Sequence, residues 1–349
     1  MSSWVGERRL RIALACGLAA VAVAIPFLFG PYRVGQFTLV LAYAVAALGL
    51  NLLVGYNGQI SLGHGAFFAL GAYTAALLIE KSGVPYLLTL PAAGALCFVA
   101  GYGFGVPALR LRGLYLALVT LGLAIATPQL IKRFDGLTEG TQGLTVEQPS
   151  SPSWLGLADD QFLYLLTLAA AAVMFLLAWN LMRGHVGRAV KAVRDGEIPA
   201  ATLGVDLART KTRVFALSAA YAGVAGALYV LAIGFVAPEA FTLTISFAFL
   251  AAIVVGGLAT ISGALFGALF IEFVPVYASD VNDALTGVIY GGVLIAFMWV
   301  LPGGAAGLLR QVRKLFGDKA SRRRGSNEAD ALRGAAADSG DRVRSVRAR

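Results

Sequence analysis

The chain has 349 residues, of which 58% are hydrophobic and only 13% are charged, a balance that excludes an ordinary soluble protein and indicates a polytopic membrane protein. Most of the net charge of +9 lies beyond residue 301, where twelve Lys and Arg face five acidic residues, so the charge does not indicate a nucleic-acid-binding protein. The two cysteines, Cys16 and Cys97, both lie in apolar runs and suggest no disulfide.

The first two thirds of the chain alternate apolar runs with short connections. Arg8, Arg9 and Arg11 precede the first run, which predicts a retained helix and a cytoplasmic N-terminus. The runs are each long enough to cross roughly 30 Å of hydrocarbon as a helix. They cover residues 12–29, 36–54, 61–79, 86–109, 113–131, 161–182 and 214–233. The connection over residues 132–160 has more acids than bases, and its position in the count predicts that it is external.

Residues 243–276 are long for one helix, and the sequence GGLATISGALFG breaks them in the middle. Two crossings, or a segment that dips in and out, would keep the basic C-terminal tail inside with the N-terminus, whereas one crossing would export it. With a last run at residues 284–301, we expect an all-α polytopic membrane protein of about ten apolar segments, with half-helices allowed among them and both termini cytoplasmic. Residues 1–316 form the membrane domain, and residues 317–349 form a disordered basic cytoplasmic tail.

Residues 183–213 form a long charged loop in which seven Lys and Arg outnumber three acids, which predicts a cytoplasmic location. Inside it, DGEIPAATLGV predicts a short helix that Asp195 caps, that has Glu197 in its first turn and that ends where Gly204 adopts a left-handed conformation. Pro199 would remove a donor from a helix begun at Glu197, so we expect the helix to begin later than Asp195. The alternative is an ordinary solvated basic loop.

Polar residues between the second and third runs are candidates for a translocation pathway, since a polar side chain at membrane depth costs free energy unless it pairs or faces water. The candidates are Asn57, Gln59, Ser61 and His64, with Asn51 close by. Broken helices supply such dipoles along the pathways of other transporters. A tight cytoplasmic turn explains the same residues equally well. Glu272 is the one carboxylate well inside an apolar run, and its closeness to Pro275 favours the outer interface.

Motifs for energy conversion and catalysis are absent from the sequence. No Gly-Lys dipeptide exists, so a phosphate-binding loop is excluded and ATP must be used by partner subunits. Neither His64 nor His185 belongs to a metal-ligand pattern, and no catalytic constellation is present, so we expect no cofactor bound by this chain and no enzyme. Small residues four apart, at Gly101 and Gly105, Gly263 and Gly267, and Gly287 and Gly291, predict close helix packing.

Six stretches carry a family resemblance, in this order: GQISLGHGAFFALGAYTAALL, LRGLYLALVTLG, LTEGTQGL, VGRAVKAVRDGEIPAATLGV, FALSAAYAGVAGALY and IVVGGLATISGALFGA. The chain resembles the permease subunit of high-affinity branched-chain amino acid ABC importers over roughly residues 40–300. The resemblance implies a multi-pass protein of the bacterial inner membrane that pairs with a second related permease, two ABC ATPase subunits and a substrate-binding protein. It also implies a coupling helix for the ATPase, formed by Asp195, Gly196, Glu197, Ala200, Ala201, Leu203 and Gly204.

Two other readings stay open from the sequence. Importers of urea or short-chain amides share much of the pattern. An ion-coupled secondary transporter would need an ionisable residue near the middle of a core helix, and apart from Glu272 the sequence has none.

Overall fold

The computed structural model describes residue 17 and residues 19–108, 113–282, 285–301 and 303–307. The tail at residues 317–349 and the beginning of the first apolar run lie outside this part. The described chain is helical almost throughout. The long helices are α1 (Ala19–Leu28), α2 (Pro31–Leu50), α3 (His64–Ser82), α4 (Tyr86–Ala108), α5 (Leu114–Arg133), α7 (Asp159–Arg183), α10 (Leu207–Ile233), α11 (Leu243–Gly256), α12 (Gly263–Val281) and α13 (Thr286–Val300).

Shorter elements connect the long helices. A π-helix (Asn51–Tyr56) continues α2, and a 3-10 helix (Pro238–Phe241) precedes α11. The remaining elements are α6 (Asp135–Thr138), α8 (His185–Asp195), α9 (Glu197–Thr202), β1 (Leu144–Thr145) and β2 (Phe235–Val236). Within the described residues, seven helices are long and apolar enough to cross a membrane, while the described part of α1 and the whole of α11 are shorter apolar helices. The predicted class, an all-α polytopic membrane protein, agrees with this architecture.

The ambiguous stretch over residues 243–276 contains two helices. α11 has 14 residues and therefore spans only about 21 Å, short of a full crossing. The break contains two residues with positive φ, Gly257 at 112° and Ala259 at 56°. Asn51 stabilises the break, because its amide donates to the carbonyl oxygen of Thr260 at 2.7 Å and accepts from the backbone N–H of Ala259 at 2.9 Å.

The core is organised around α10, which packs against α2, α3 and α4. Glycines allow this approach, since a Cβ at Gly226 would overlap the backbone oxygen of Phe68 in α3, and one at Gly71 would overlap the backbone of Gly223 in α10. In lipid, where no hydrophobic force drives helices together, such close backbone contact is a main source of association. α10 therefore forms the centre of the described bundle.

Two of the three predicted glycine pairs lie at helix contacts. A Cβ at Gly101 would meet Ala219 of α10, and one at Gly267 would overlap the backbone of Ala252 in α11. Among the described residues a Cβ at Gly287 or Gly291 would meet no atom within 4 Å, which contradicts the prediction for this pair. These two glycines lie in α13, none of whose residues is buried.

One end of the bundle is closed by a small two-stranded sheet. Leu144 pairs with Val236 and Thr145 with Phe235, antiparallel, which ties the long connection after α5 to the turn after α10. Lys132 and Glu239 form an ion pair of 2.8 Å at the same end, and the hydrogen bond from Lys132 holds the pKa of Glu239 below its usual value. Both connections therefore belong to the same face of the molecule.

Candidate functional site

The charged loop at residues 183–213 contains two helices rather than one. α8 has valines at positions 186, 190 and 193, a spacing that places them along one helical face, and Val190 and Val193 are buried. The basic residues of α8 lie mainly on the opposite, exposed side. The sequence-based prediction missed α8 because its many charged residues indicated a solvated loop. The spacing of its valines is nevertheless typical of a helix with one buried face.

The predicted cap of the short helix is wrong. Asp195 is the last residue of α8, and Gly196 occupies the N-cap position of α9 with extended backbone and no side-chain cap. α9 nevertheless begins at Glu197, with Glu197 in its first turn as predicted. Pro199 does not prevent this start, because the first backbone N–H groups of a helix have no intrahelical acceptor and the missing donor costs nothing there.

The predicted end of α9 is confirmed. Gly204 has φ of 81°, and the N–H of Gly204 donates to the carbonyl of Ala201 while the N–H of Val205 donates to that of Ala200, each at 3.0 Å. This pair of bonds is the Schellman motif, in which a left-handed glycine satisfies the last carbonyls of a helix. No neighbouring atom lies within 4 Å of a Cβ built on Gly204, so the requirement for glycine there is conformational.

α9 has a buried face and an exposed face, and the exposed face is apolar, unlike that of a solvated loop. Ala200 is buried against the rest of the protein, whereas Ala201 is exposed. Ile198 and Leu203 are 80% and 81% exposed. Ile198 lies in the six-residue helix and Leu203 at its C-cap, and we call these two exposed apolar side chains the apolar knob. Large exposed apolar side chains are typical of a contact surface for another protein.

Ion pairing fixes α9 to the core helix α10. Lys211 and Glu197 form a salt bridge of 2.6 Å in which the lysine side chain is largely buried. Asp206 caps α10 by accepting from the backbone N–H of Arg209 at 3.0 Å. The Glu197–Lys211 pair therefore connects α9 to α10 by a short polar contact.

The four predicted pathway residues do not form one cluster. His64 begins α3 and is buried in the core, where its Nε2 lies 2.8 Å from the carbonyl oxygen of Ala46 and its ring stands edge-on to Phe249. Ser61 is buried and accepts from the N–H of Gly63 at 3.4 Å. Both have structural contacts. Asn57 and Gln59 lie instead in the turn that follows the π-helix.

Asn57 and Gln59 line a cavity of about 170 Å³ together with residues of the charged loop. The loop contributes Val193, Arg194, Gly196 and Glu197, and α10 contributes Lys211 and Phe215. The structure thus brings two of the predicted pathway residues next to the predicted coupling segment. The sequence could not show this, because the two sets lie well over a hundred positions apart.

The sequence is similar to known proteins over most of its length. The family model described as the permease component of branched-chain amino acid transport systems matches residues 32–298. The high-affinity branched-chain amino acid transport permease LivM of Escherichia coli is 34% identical over 321 residues, covering 85% of this chain and 75% of LivM. The corresponding permease LivH of Salmonella typhimurium is 26% identical over 286 residues, covering 77% of this chain and 92% of LivH. Among solved structures, PsaBC of Streptococcus pneumoniae matches at 12% identity with a TM-score of 0.38, covering 81% of this chain and 94% of that one, which is too low to support any statement about the fold.

Proposed function

The chain belongs to the permease family of branched-chain amino acid transport systems, and from this premise we propose that it forms the translocation pathway for leucine, isoleucine and valine in an ABC importer. The match to LivM over 85% of the chain is the observation that carries the substrate class. The energy source is ATP hydrolysis by separate subunits, because the sequence has no phosphate-binding loop of its own.

The coupling element of this proposal is α9 with its exposed apolar knob, Ile198 and Leu203. An ATPase that receives the knob in an apolar cleft would exert force on α9, and the Glu197–Lys211 pair would pass that force to α10. Since α10 packs against α2, α3 and α4, a movement of α10 reaches the centre of the bundle. Gly204, in its left-handed conformation, ends α9 and sets the direction of the chain between α9 and α10.

The proposal includes further subunits and a location. A second, related permease completes the pathway, two ABC ATPases dock on the cytoplasmic side, and a substrate-binding protein delivers the amino acid from outside. The similarity to both LivM and LivH supports a pair of unlike permeases. The location is the bacterial inner membrane.

Reconstitution tests the function directly. The chain is assembled in liposomes with candidate ATPases, partner permease and binding protein, and uptake of labelled leucine is compared with uptake of labelled urea. We expect ATP-dependent uptake of leucine at a rate at least tenfold above that of urea. Uptake of urea in preference to leucine would assign the chain to a related amide importer and refute the proposed substrate.

The proposed topology has ten apolar segments, with both termini and the α8–α9 loop in the cytoplasm and residues 132–160 outside. Clustering of basic residues in the loop and in the C-terminal stretch supports it. In a background lacking Cys16 and Cys97, we expect an impermeant thiol reagent added from outside to label Ser150→Cys in the external connection. Ser326→Cys, in the tail beyond the described residues, should react only after the membrane is opened. Labelling of Ser326→Cys in intact cells would contradict the ten-segment count.

A further inference from the structure

The cavity between the turn at residues 57–60 and the α8–α9 joint contains polar groups that nothing in the described chain satisfies. Asn57 is only 3% exposed, yet neither its amide nitrogen nor its amide oxygen has a hydrogen-bond partner. The amide nitrogen of Gln59 is buried without a partner as well. A buried amide that is left unpaired loses its hydrogen bonds to water without replacement, so such groups normally have a ligand or ordered water.

The unpaired groups have a specific chemical pattern. The amide nitrogens of Asn57 and Gln59 are two donors, and the amide oxygen of Asn57 is one acceptor. Two donors suit a carboxylate and one acceptor suits an ammonium. Arg194 also lines the cavity, and its positive charge favours a carboxylate.

Four apolar residues from different parts of the chain also line the cavity, namely Ile60, Leu116, Val193 and Phe215. The paired side chains of Glu197 and Lys211 line it too. The volume of about 170 Å³ exceeds that of an engineered cavity of about 150 Å³ that binds benzene in another protein. A cavity of this size, with both polar and apolar lining residues, fits a small molecule that carries a zwitterionic group and a branched aliphatic side chain.

We infer that this cavity is a binding site for a free amino acid with an apolar side chain, entered from the side of the α8–α9 loop. The inference rests on the proposed function for the identity of the ligand, since the same class of molecule is transported. A bound amino acid would touch α8 through Val193 and Arg194 and the joint through Gly196. It would therefore hold the junction of α8 and α9 in place and slow the coupling movement when the amino acid accumulates inside.

Direct binding tests the site. The full chain is purified in lipid nanodiscs, and binding of tritiated L-leucine is measured by scintillation proximity. We expect saturable binding that Asn57→Leu and Ile60→Trp each weaken at least tenfold, the first by removing the polar contacts and the second by filling the apolar half. Leucinol and 4-methylpentanoate, which lack the carboxylate and the ammonium respectively, should each compete at least tenfold less well than leucine.

Asn180→Leu is the matched control, because Asn180 is an exposed amide on α7 outside the cavity and should leave binding unchanged. Absence of saturable binding to the native chain would show that the cavity holds only water and would overturn the inference. Equal binding by the native chain and by Ile60→Trp would place the leucine elsewhere and overturn it too, even if Asn57→Leu failed to fold.

A second readout separates the site from the transport function. In the reconstituted importer, leucine added on the ATPase side should lower ATP hydrolysis at least threefold with the native chain and have no effect with Ile60→Trp. If the importer takes up leucine but leucine lowers ATP hydrolysis equally with both chains or with neither, the inhibitory site is refuted and the proposed function stands. If the importer does not transport leucine, the proposed function is refuted. The nanodisc measurement still decides separately whether the cavity binds leucine.

Discussion

Replacing Ile198 and Leu203 together by aspartate is expected to abolish substrate-stimulated ATP hydrolysis in the reconstituted importer. Burying a large aliphatic side chain contributes about 1.5–3 kcal/mol, so losing both weakens docking by at least about 100-fold, before the cost of burying two carboxylates is added. Both side chains are about four fifths exposed in the free chain and make little contribution to its own core. The double variant should therefore insert and purify normally, and it should fail to co-purify with the ATPase.

The control for this variant is Leu137→Asp, the same change at a leucine that is 52% exposed on α6 at the opposite end of the bundle. Its stimulated ATP hydrolysis should remain within twofold of the native rate. If the double variant kept normal stimulation and normal co-purification, α9 would not be the docking element, and the coupling route through Glu197 and Lys211 would be wrong.

Gly226→Val is expected to prevent the bundle from folding. A Cβ at this position would overlap the backbone oxygen of Phe68 and approach the backbone nitrogen of Ala72 to 2.8 Å. Overpacking of a core costs roughly 1–3 kcal/mol where side chains can rearrange, and here the obstacle is backbone, which cannot change rotamer. We expect a loss at the upper end of that range or beyond, measured as the absence of a monodisperse peak in size-exclusion chromatography of the detergent-solubilised chain.

The matched control is Gly103→Val in α4. A Cβ at Gly103 would meet no atom within 4 Å, although the residue lies in a helix of the same bundle and only two positions from the tightly packed Gly101. The control should elute and melt like the native chain, within about 1 kcal/mol, because an added aliphatic group there faces open space. Equal behaviour of Gly226→Val and Gly103→Val would mean that α3 and α10 are not in backbone contact.

The membrane segments could be predicted from the sequence because length and hydropathy decide them. The run predicted at residues 161–182 corresponds to α7, and the break within residues 243–276 falls between α11 and α12. The left-handed stop at Gly204 was predictable for a similar reason, since it depends on local backbone conformation and on the residue type that tolerates it.

Features that depend on contacts between residues far apart in the sequence could not be predicted. Asn51 was visible as a polar residue near the end of an apolar run, yet its two partners, Ala259 and Thr260, lie more than 200 positions away. The same limit applies to the cavity, because nothing in the order of the chain shows that Asn57 and Arg194 line the same space. The glycine pairs illustrate it most simply. The spacing predicted helix contacts for Gly101 and Gly287 alike, but within the described chain Gly101 faces another helix and Gly287 does not.

The central position of α10 has a consequence for the synthesis of the protein. α3 and α4 are complete long before α10 leaves the ribosome, because roughly 100 residues separate the end of α4 from the start of α10, which at about 5–20 residues per second corresponds to about 5–20 s of translation. During that interval the glycine-lined groove that later receives Gly226 has no occupant from its own chain. The rate of chain elongation through residues 109–206 thus sets how long the half-built bundle is exposed to mispairing.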